Sequence, residues 1–157
     1  MDINFKHRGM LEIDHARIIY RNFRGEASKF NRSGDRNFTV VIPDEETAQI
    51  LIDDGWNVKI KPPREEGETP FMTLAVKVKF NDNSPVAYLE TGRNLNKLDE
   101  ESIAILDDVD ILDVCMDLRP YDWEVNGKTG RTAYLQAIKV TQRIDRFAAQ
   151  YEEEDKF

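Results

Sequence analysis

Apolar residues recur with a period of two along most of the chain. In FMTLAVKVKF (71–80), Met72, Leu74, Val76, Val78 and Phe80 share one face, and Thr73, Ala75, Lys77 and Lys79 share the other, as in a half-buried strand. Residues 9–23 and 36–42 are rich in Ile, Val, Phe and Tyr. They are predicted as strands joined by a loop of turn formers, GEASKFNRSGD. In ARIIYRNF the alternation assigns Ala16, Ile18 and Tyr20 to a core face, and Arg17, Arg21 and Phe23 to a basic face. Pro43 stops the second strand, and DEETAQILIDDG reads as a short helix: acids in its first turn, apolar Ala48, Leu51 and Ile52, and Gly55 as its stop. A strand follows, with Trp56, Val58 and Ile60 alternating with Asn57, Lys59 and Lys61, and then the proline-rich loop KPPREEGETP.

In the second half, VAYLE (86–90) is expected to pair after the turn NDNSP. KLDEESIAILDD (97–108) is expected to form a second short helix, capped by Asp99 with Leu98 packed on Ile103. DILDVCMDLRPYDWEV and RTAYLQAIKVTQRI flank NGKTG, whose Asn-Gly step marks a hairpin tip. In the first arm Leu112, Val114, Met116 and Leu118 face one way, and Arg119, Tyr121 and Trp123 the other. Many short amphipathic strands with one or two short helices indicate a mainly β fold. The expected form is a five-stranded, partly elaborated antiparallel barrel of the oligonucleotide/oligosaccharide-binding (OB) kind; a β-sandwich or a larger mixed barrel fits the same pattern. The expected division is one domain over 1–147 and a flexible acidic tail over 148–157.

Composition fits one soluble domain: 157 residues, 40% hydrophobic and 33% charged. No apolar run approaches the roughly 18 residues that cross a bilayer, and MDINFKHRGM lacks the apolar centre of a signal peptide. The single Cys115 has no internal disulfide partner, so a reducing, cytoplasmic setting is expected.

The net charge of −8 is unevenly distributed. Arg17, Arg21, Arg24, Lys29, Arg32 and Arg36 crowd one segment against only Glu26 and Asp35; Arg119, Lys128, Arg131, Lys139, Arg143 and Arg146 make a second. Binding a single nucleic-acid strand without regard to sequence needs cations for phosphates and exposed rings for bases. The candidates are Arg17, Arg21, Phe23, Arg24, Lys29, Phe30, Arg32, Arg36, Lys59, Lys61, Lys77, Lys79, Arg119, Tyr121, Trp123, Lys128 and Arg131. The competing reading makes the aromatics core and the cations a solvated face. Phe38 and Trp56 are assigned to the core by their register with neighbouring apolar positions.

The tail AQYEEEDKF is too charged to fold and ends in an aromatic ring. Phe157 suits an apolar pocket whose basic rim would meet Glu152, Glu153, Glu154 and Asp155. In the EEEDKF terminus and in the arginine, lysine and aromatic pattern of its core, the chain resembles the prokaryotic and bacteriophage single-stranded DNA-binding proteins. The phage branch is the nearer one, since the long Gly/Gln/Pro-rich linker is missing. Lys156 departs from the usual approach to the final Phe. The resemblance implies an OB-fold core, non-catalytic coating of single-stranded DNA in replication or recombination, and tail-mediated docking of partner proteins. No cofactor or metal is expected: one Cys with His7 and His15 does not supply four zinc ligands. No nucleotide-binding or zinc-protease motif is present. Two other readings compete. One is a protein-interaction or virion-assembly module. The other is a Mg²⁺-dependent nuclease using Asp107, Asp108, Asp110 and Asp113, although a charged helix end entering a strand is the simpler account of those acids.

Overall fold

The structure, a computed structural model, describes residues 1–147, so the acidic tail expected over 148–157 lies outside the described residues. The described chain forms ten strands and one α-helix: β1 (Asp2–Phe5), β2 (Leu11–Asp14), β3 (Arg17–Asn22), β4 (Arg36–Ile42), α1 (Glu45–Asp53), β5 (Val58–Lys61), β6 (Phe71–Val78), β7 (Val86–Thr91), β8 (Asn94–Leu98), β9 (Ile111–Val125) and β10 (Lys128–Gln142). Two short 3-10 segments, His7–Gly9 and Ile103–Asp107, complete it. No helix among the described residues is long and apolar enough to cross a membrane.

All ten strands belong to one sheet, with the main path β1-β2-β9-β10-β6-β4-β3; β5 adds to β6, and β7 with β8 continues from β10. The expected mainly β fold is present, and the elaboration beyond five strands is larger than expected. The ladder is open, with β1 and β3 at its ends, yet only His15 and Ala16 separate β2 from β3. His15 takes a positive φ of 56° and the Ala16 N–H donates to the Val114 carbonyl at 2.9 Å, so one kinked stretch of chain runs along β9 and then along β4. Curling the sheet this way encloses a single core from Leu11, Ile13, Phe23, Phe38, Val40, Leu74, Val76, Leu118, Leu135 and Ile138, all at most 2% exposed.

Local chemistry explains the elements. The α1 cap Asp44 accepts the Thr47 N–H at 2.7 Å, and these hydrogen bonds from Thr47 hold its carboxyl below the ordinary aspartate range. Gly55, at φ 104°, ends the helix where an L side chain would be strained. The helix expected over 97–108 divides. Asn94–Leu98 pairs with β7 as a strand, and the 3-10 turn follows from Asp99, whose Oδ1 accepts the Ser102 N–H at 2.8 Å. At the tip of the β9–β10 hairpin, Asn126 and Gly127 have φ of 51° and 79°, the two positive angles that a type I′ turn needs. β2 accompanies β9 only as far as Leu118. β6 accompanies β10 at Ala133 and Tyr134, opposite Pro120 and Arg119; beyond Pro120 the hairpin is a two-stranded arm, and Pro120 sits where one edge of β9 is open.

Candidate nucleic-acid interface

Directly paired residues in a sheet project from the same face. Lys77 pairs with Asn37 on β4 and with Tyr134 on β10, and Tyr134 pairs with Arg119 on β9. One row therefore crosses four strands on the side opposite the core residues Leu74, Val76 and Val78. Lys59 and Lys61 join this face through their pairs Thr73 and Phe71, Arg17 through Val41 at the far end, and Tyr121 and Trp123 by alternation along the arm.

Tyr134 is the hub of the row. The Arg119 guanidinium lies 5.1 Å and the Lys79 ammonium 5.7 Å from its ring centroid, and Tyr121 meets it edge-on at 6.0 Å. The Arg119 Nε is buried without a hydrogen-bond partner, so a ring rather than a carboxylate holds this cation. Trp123 lies flat on Gly130, its cross-strand pair, where any side chain would collide with the indole. Tyr134 is not among the expected residues, although in RTAYLQAIKV it falls opposite the apolar Ala133 and Leu135.

A groove of about 870 Å³ opens beside this row, between the 24–35 loop and the end of β6; Arg32, Arg36, Lys77, Lys79 and Phe80 line it, with Asp35 and Glu100 also present. Arg36 stacks 5.0 Å from the Phe80 centroid and donates to the Glu100 carbonyl at 3.0 Å. Phe30 projects from the loop, 91% exposed, with the Lys29 ammonium 5.7 Å from its ring centroid. The loop is internally braced. The Asn31 amide donates to the carbonyls of Glu26, Arg32 and Asp35 at 2.9, 3.0 and 3.0 Å, and the Gly34 N–H donates to Gly25 O at 2.8 Å. Gly25, at φ 70°, approaches Gly34 too closely for a Cβ to fit comfortably.

Other expected residues have structural roles. Phe23 is fully buried and stacked on Phe38 at 5.1 Å, whereas Tyr20, expected in the core, is 73% exposed. The cause is a bulge: the β3–β4 register shifts between Ile19 and Asn22, and Tyr20 takes a φ of 52°, which inverts the alternation. Arg21 donates to the carbonyls of Leu106 and Val109 at 2.9 and 2.7 Å, fastening the 3-10 segment to β3. Arg24 pairs with Asp107 at 3.1 Å and Asp108 at 2.6 Å. Arg131 pairs with Asp122 at 2.6 Å, donates to the Asp54 carbonyl at 2.7 Å and covers the buried Trp56 at 5.1 Å, tying the arm to the end of α1. Lys128 is exposed beside the hairpin tip.

The four aspartates weighed as Mg²⁺ ligands do not converge. Asp107 accepts the N–H groups of Phe23 and Arg24 at 2.7 and 3.1 Å, Asp108 meets Arg24, and Asp113 meets His15 at 3.2 Å. Among the described residues no group of three or more His, Cys, Asp or Glu side chains is placed to hold a metal ion. The outer face turns acidic on β2 and lower β9, where Glu12 is paired with Asp117. Burial first, then Glu12 and Asp14, pushes the Asp117 carboxyl above its ordinary range. The sheet's outer surface is thus divided by charge, and the basic half carries the rings.

Among solved structures, the chain is similar to the single-stranded DNA-binding protein of bacteriophage Enc34. Against its complex with single-stranded DNA the TM-score is 0.58 at 11% identity, covering 90% of each chain. A C-terminal truncation of the same protein gives 0.56 at 10% identity, covering 88% of each chain. At such identity the likeness is one of fold. No curated protein sequence matches the chain. The family model described as "Putative phage ssDNA-binding domain" matches residues 2–155. With nearly its whole length matched, the chain belongs to the phage ssDNA-binding domain family.

Proposed function

We propose that this chain binds single-stranded DNA non-catalytically and with little sequence preference, serving phage DNA replication or recombination. The observation that carries the reading is the Lys77–Tyr134–Arg119 row, continued by Tyr121 and Trp123: Arg119 and the neighbouring Lys79 lie against the Tyr134 ring, and none of the three cations has a carboxylate ion-pair partner among the described residues. Phosphates of a strand lying on this face meet Lys59, Lys61, Lys77, Lys79 and Arg119, while bases stack on the exposed rings at about 1–3 kcal/mol each. OB-type barrels bind oligonucleotides on one sheet face between two flanking loops. Here the braced 24–35 loop, with Lys29, Phe30 and Arg32, and the arm to Lys128 flank the face. Family membership and the DNA complex of the Enc34 protein support the same ligand.

In this reading residues 1–147 bind the strand, and the 148–157 tail recruits replication or recombination proteins through Glu152 to Asp155 and Phe157. Fluorescence anisotropy with single-stranded and duplex oligonucleotides tests the binding: single strands are preferred at low salt, and Tyr121→Ala with Trp123→Ala removes the preference. Equal affinity for duplex and single strand would overturn the reading. Deleting residues 152–157 separates the two roles, abolishing partner capture while leaving DNA binding intact or tighter.

A further inference from the structure

Tyr20 occupies a backbone conformation that glycine takes freely and that is unfavourable for a bulky side chain. Its φ of 52° places a bulky aromatic residue in the left-handed region, and its ring is 73% exposed, so no burial of the ring offsets the strain. The bulge that does this keeps Ile18 and Phe23 in the core on either side. Its specific effect is to turn one ring outwards.

The ring is turned towards a second concavity. Tyr20 of β3, Lys61 at the end of β5, Phe71 of β6, and Pro62, Pro63 and Arg64 of the loop that connects β5 to β6 line a pocket of about 290 Å³. β4 separates β3 from β6 in the sheet, and the loop closes the space over it. Two rings and two prolines give apolar walls, and Lys61 and Arg64 supply charge. Neither cation has an ion-pair partner among the described residues, and Phe71 is 41% exposed. Glu68 is the one acid lining the pocket, and it disfavours phosphate on its own side. Lys61 and Phe71 are register partners on the same outer face as Lys77 and Tyr134. A ring pair, a rigid proline wall and two free cations form a nucleotide-sized counterpart of the main face.

We propose that this pocket is a separate nucleotide subsite, holding one base of the bound strand against Tyr20 and Phe71 with the adjoining phosphate on Lys61 and Arg64. The proposal rests on the single-strand reading above and extends the strand's path to Tyr20, Arg64 and Phe71, which composition and alternation did not single out. It also gives the strained backbone a use: a relaxed strand would bury position 20.

Tyr20→Gly is the informative variant, because glycine takes the observed φ without strain and removes only the ring. Binding of the full chain to oligo(dT) of about 4, 8 and 16 nucleotides is measured by anisotropy, alongside Arg64→Ala and thermal melting. The expected result is an unchanged or raised melting temperature, unchanged affinity for the shortest probe, and roughly 5- to 150-fold weaker binding of the longest by Tyr20→Gly. Equal affinities of Tyr20→Gly and the parent chain for every length overturn the subsite while leaving the main reading intact. Failure of the parent chain to bind any probe overturns both. A titration with dTMP followed by NMR distinguishes the ligand's source: saturation of the pocket by free dTMP, with no loss of long-probe affinity in Tyr20→Gly, makes it a mononucleotide site and refutes the strand assignment.

Discussion

Gly130→Ala places a single methyl group between the arm and its tryptophan. An ideal Cβ at Gly130 overlaps Cζ2 of Trp123 and lies 2.7 Å from Cε2, so the indole must leave its seat. Gly130 has no positive φ, so the backbone accepts alanine, and the smaller chain freedom of the unfolded state returns about 0.5–1 kcal/mol. Trp123 is 36% exposed, and a tryptophan buries roughly 150–250 Å² when covered. Lifting the ring re-exposes about a third of that, roughly 50–80 Å², worth about 1.2–2 kcal/mol at ~25 cal/mol per Å². The net destabilisation is about 1 kcal/mol, a melting shift of a few degrees, and the domain stays folded. Strand binding is hit harder: a base without its stacking platform forfeits about 1–3 kcal/mol, or roughly 5- to 150-fold in affinity. The readout is tryptophan quenching by an oligonucleotide, since Trp56 is only 3% exposed and contributes little. Gly130→Ala should lose most of the quench and weaken binding towards the level of Trp123→Ala. Undiminished quench and affinity would show that Trp123 does not need its glycine seat, and the arm's role as a stacking surface would fall.

Replacing Lys77 and Lys79 together by alanine should weaken single-strand binding at low salt. It should also flatten the dependence of log K on log salt by roughly 0.7 for each phosphate that is no longer neutralised; an unchanged slope places the phosphates elsewhere. Asp107→Ala strips acceptors from the Phe23 and Arg24 N–H groups, and its side chain is only 9% exposed; a destabilisation of about 1–3 kcal/mol, seen in urea midpoints at constant m-value, is expected. Asp117→Asn should raise the melting temperature at neutral pH. The folded-state pKa of Asp117 is raised, so its ionisation is a penalty on the native state that is absent below the ordinary value of 3.8, grows between that value and the raised one, and is complete above it. The gain from the asparagine should therefore vanish as pH falls below that window, and a gain that persists in acid would refute the cause.

The alternation of apolar residues made β6, β9, β10 and the short α1 legible, because each buries one continuous face. β1 and β8 escaped detection for the opposite reason. DINF and NLNKL are short and mostly exposed, and only pairing with β2 and β7 makes them strands. At the candidate site, Lys77, Lys79, Arg119, Tyr121 and Trp123 were readable from alternation, which ranks residues within one strand. It could not say that β6 and β10 run side by side, so the Tyr134 hub remained hidden. Alternation also assumes an unbroken strand. A single residue in the left-handed region exchanged the places of Tyr20 and Phe23, and no local signal marks that position. Cation counts alone do not reveal that Arg21, Arg24 and Arg131 also hold the fold together, because their partners Leu106, Val109, Asp107 and Asp54 are distant in sequence.

The junction at His15 and Ala16, where covalent chain rather than ladder joins the two ends of the sheet, bears on when the protein becomes competent. Leu11 and Ile13 pair with Leu118 and Met116, and Lys77 pairs with Tyr134, so neither the curled sheet nor the basic row is complete until almost all of the described domain has left the ribosome. A nascent chain that ends before β10 already carries Lys59, Lys61, Lys77, Lys79, Arg119, Tyr121 and Trp123 and still lacks the surface they make with Tyr134. In the reading proposed above, affinity for nucleic acid arrives with the last strand.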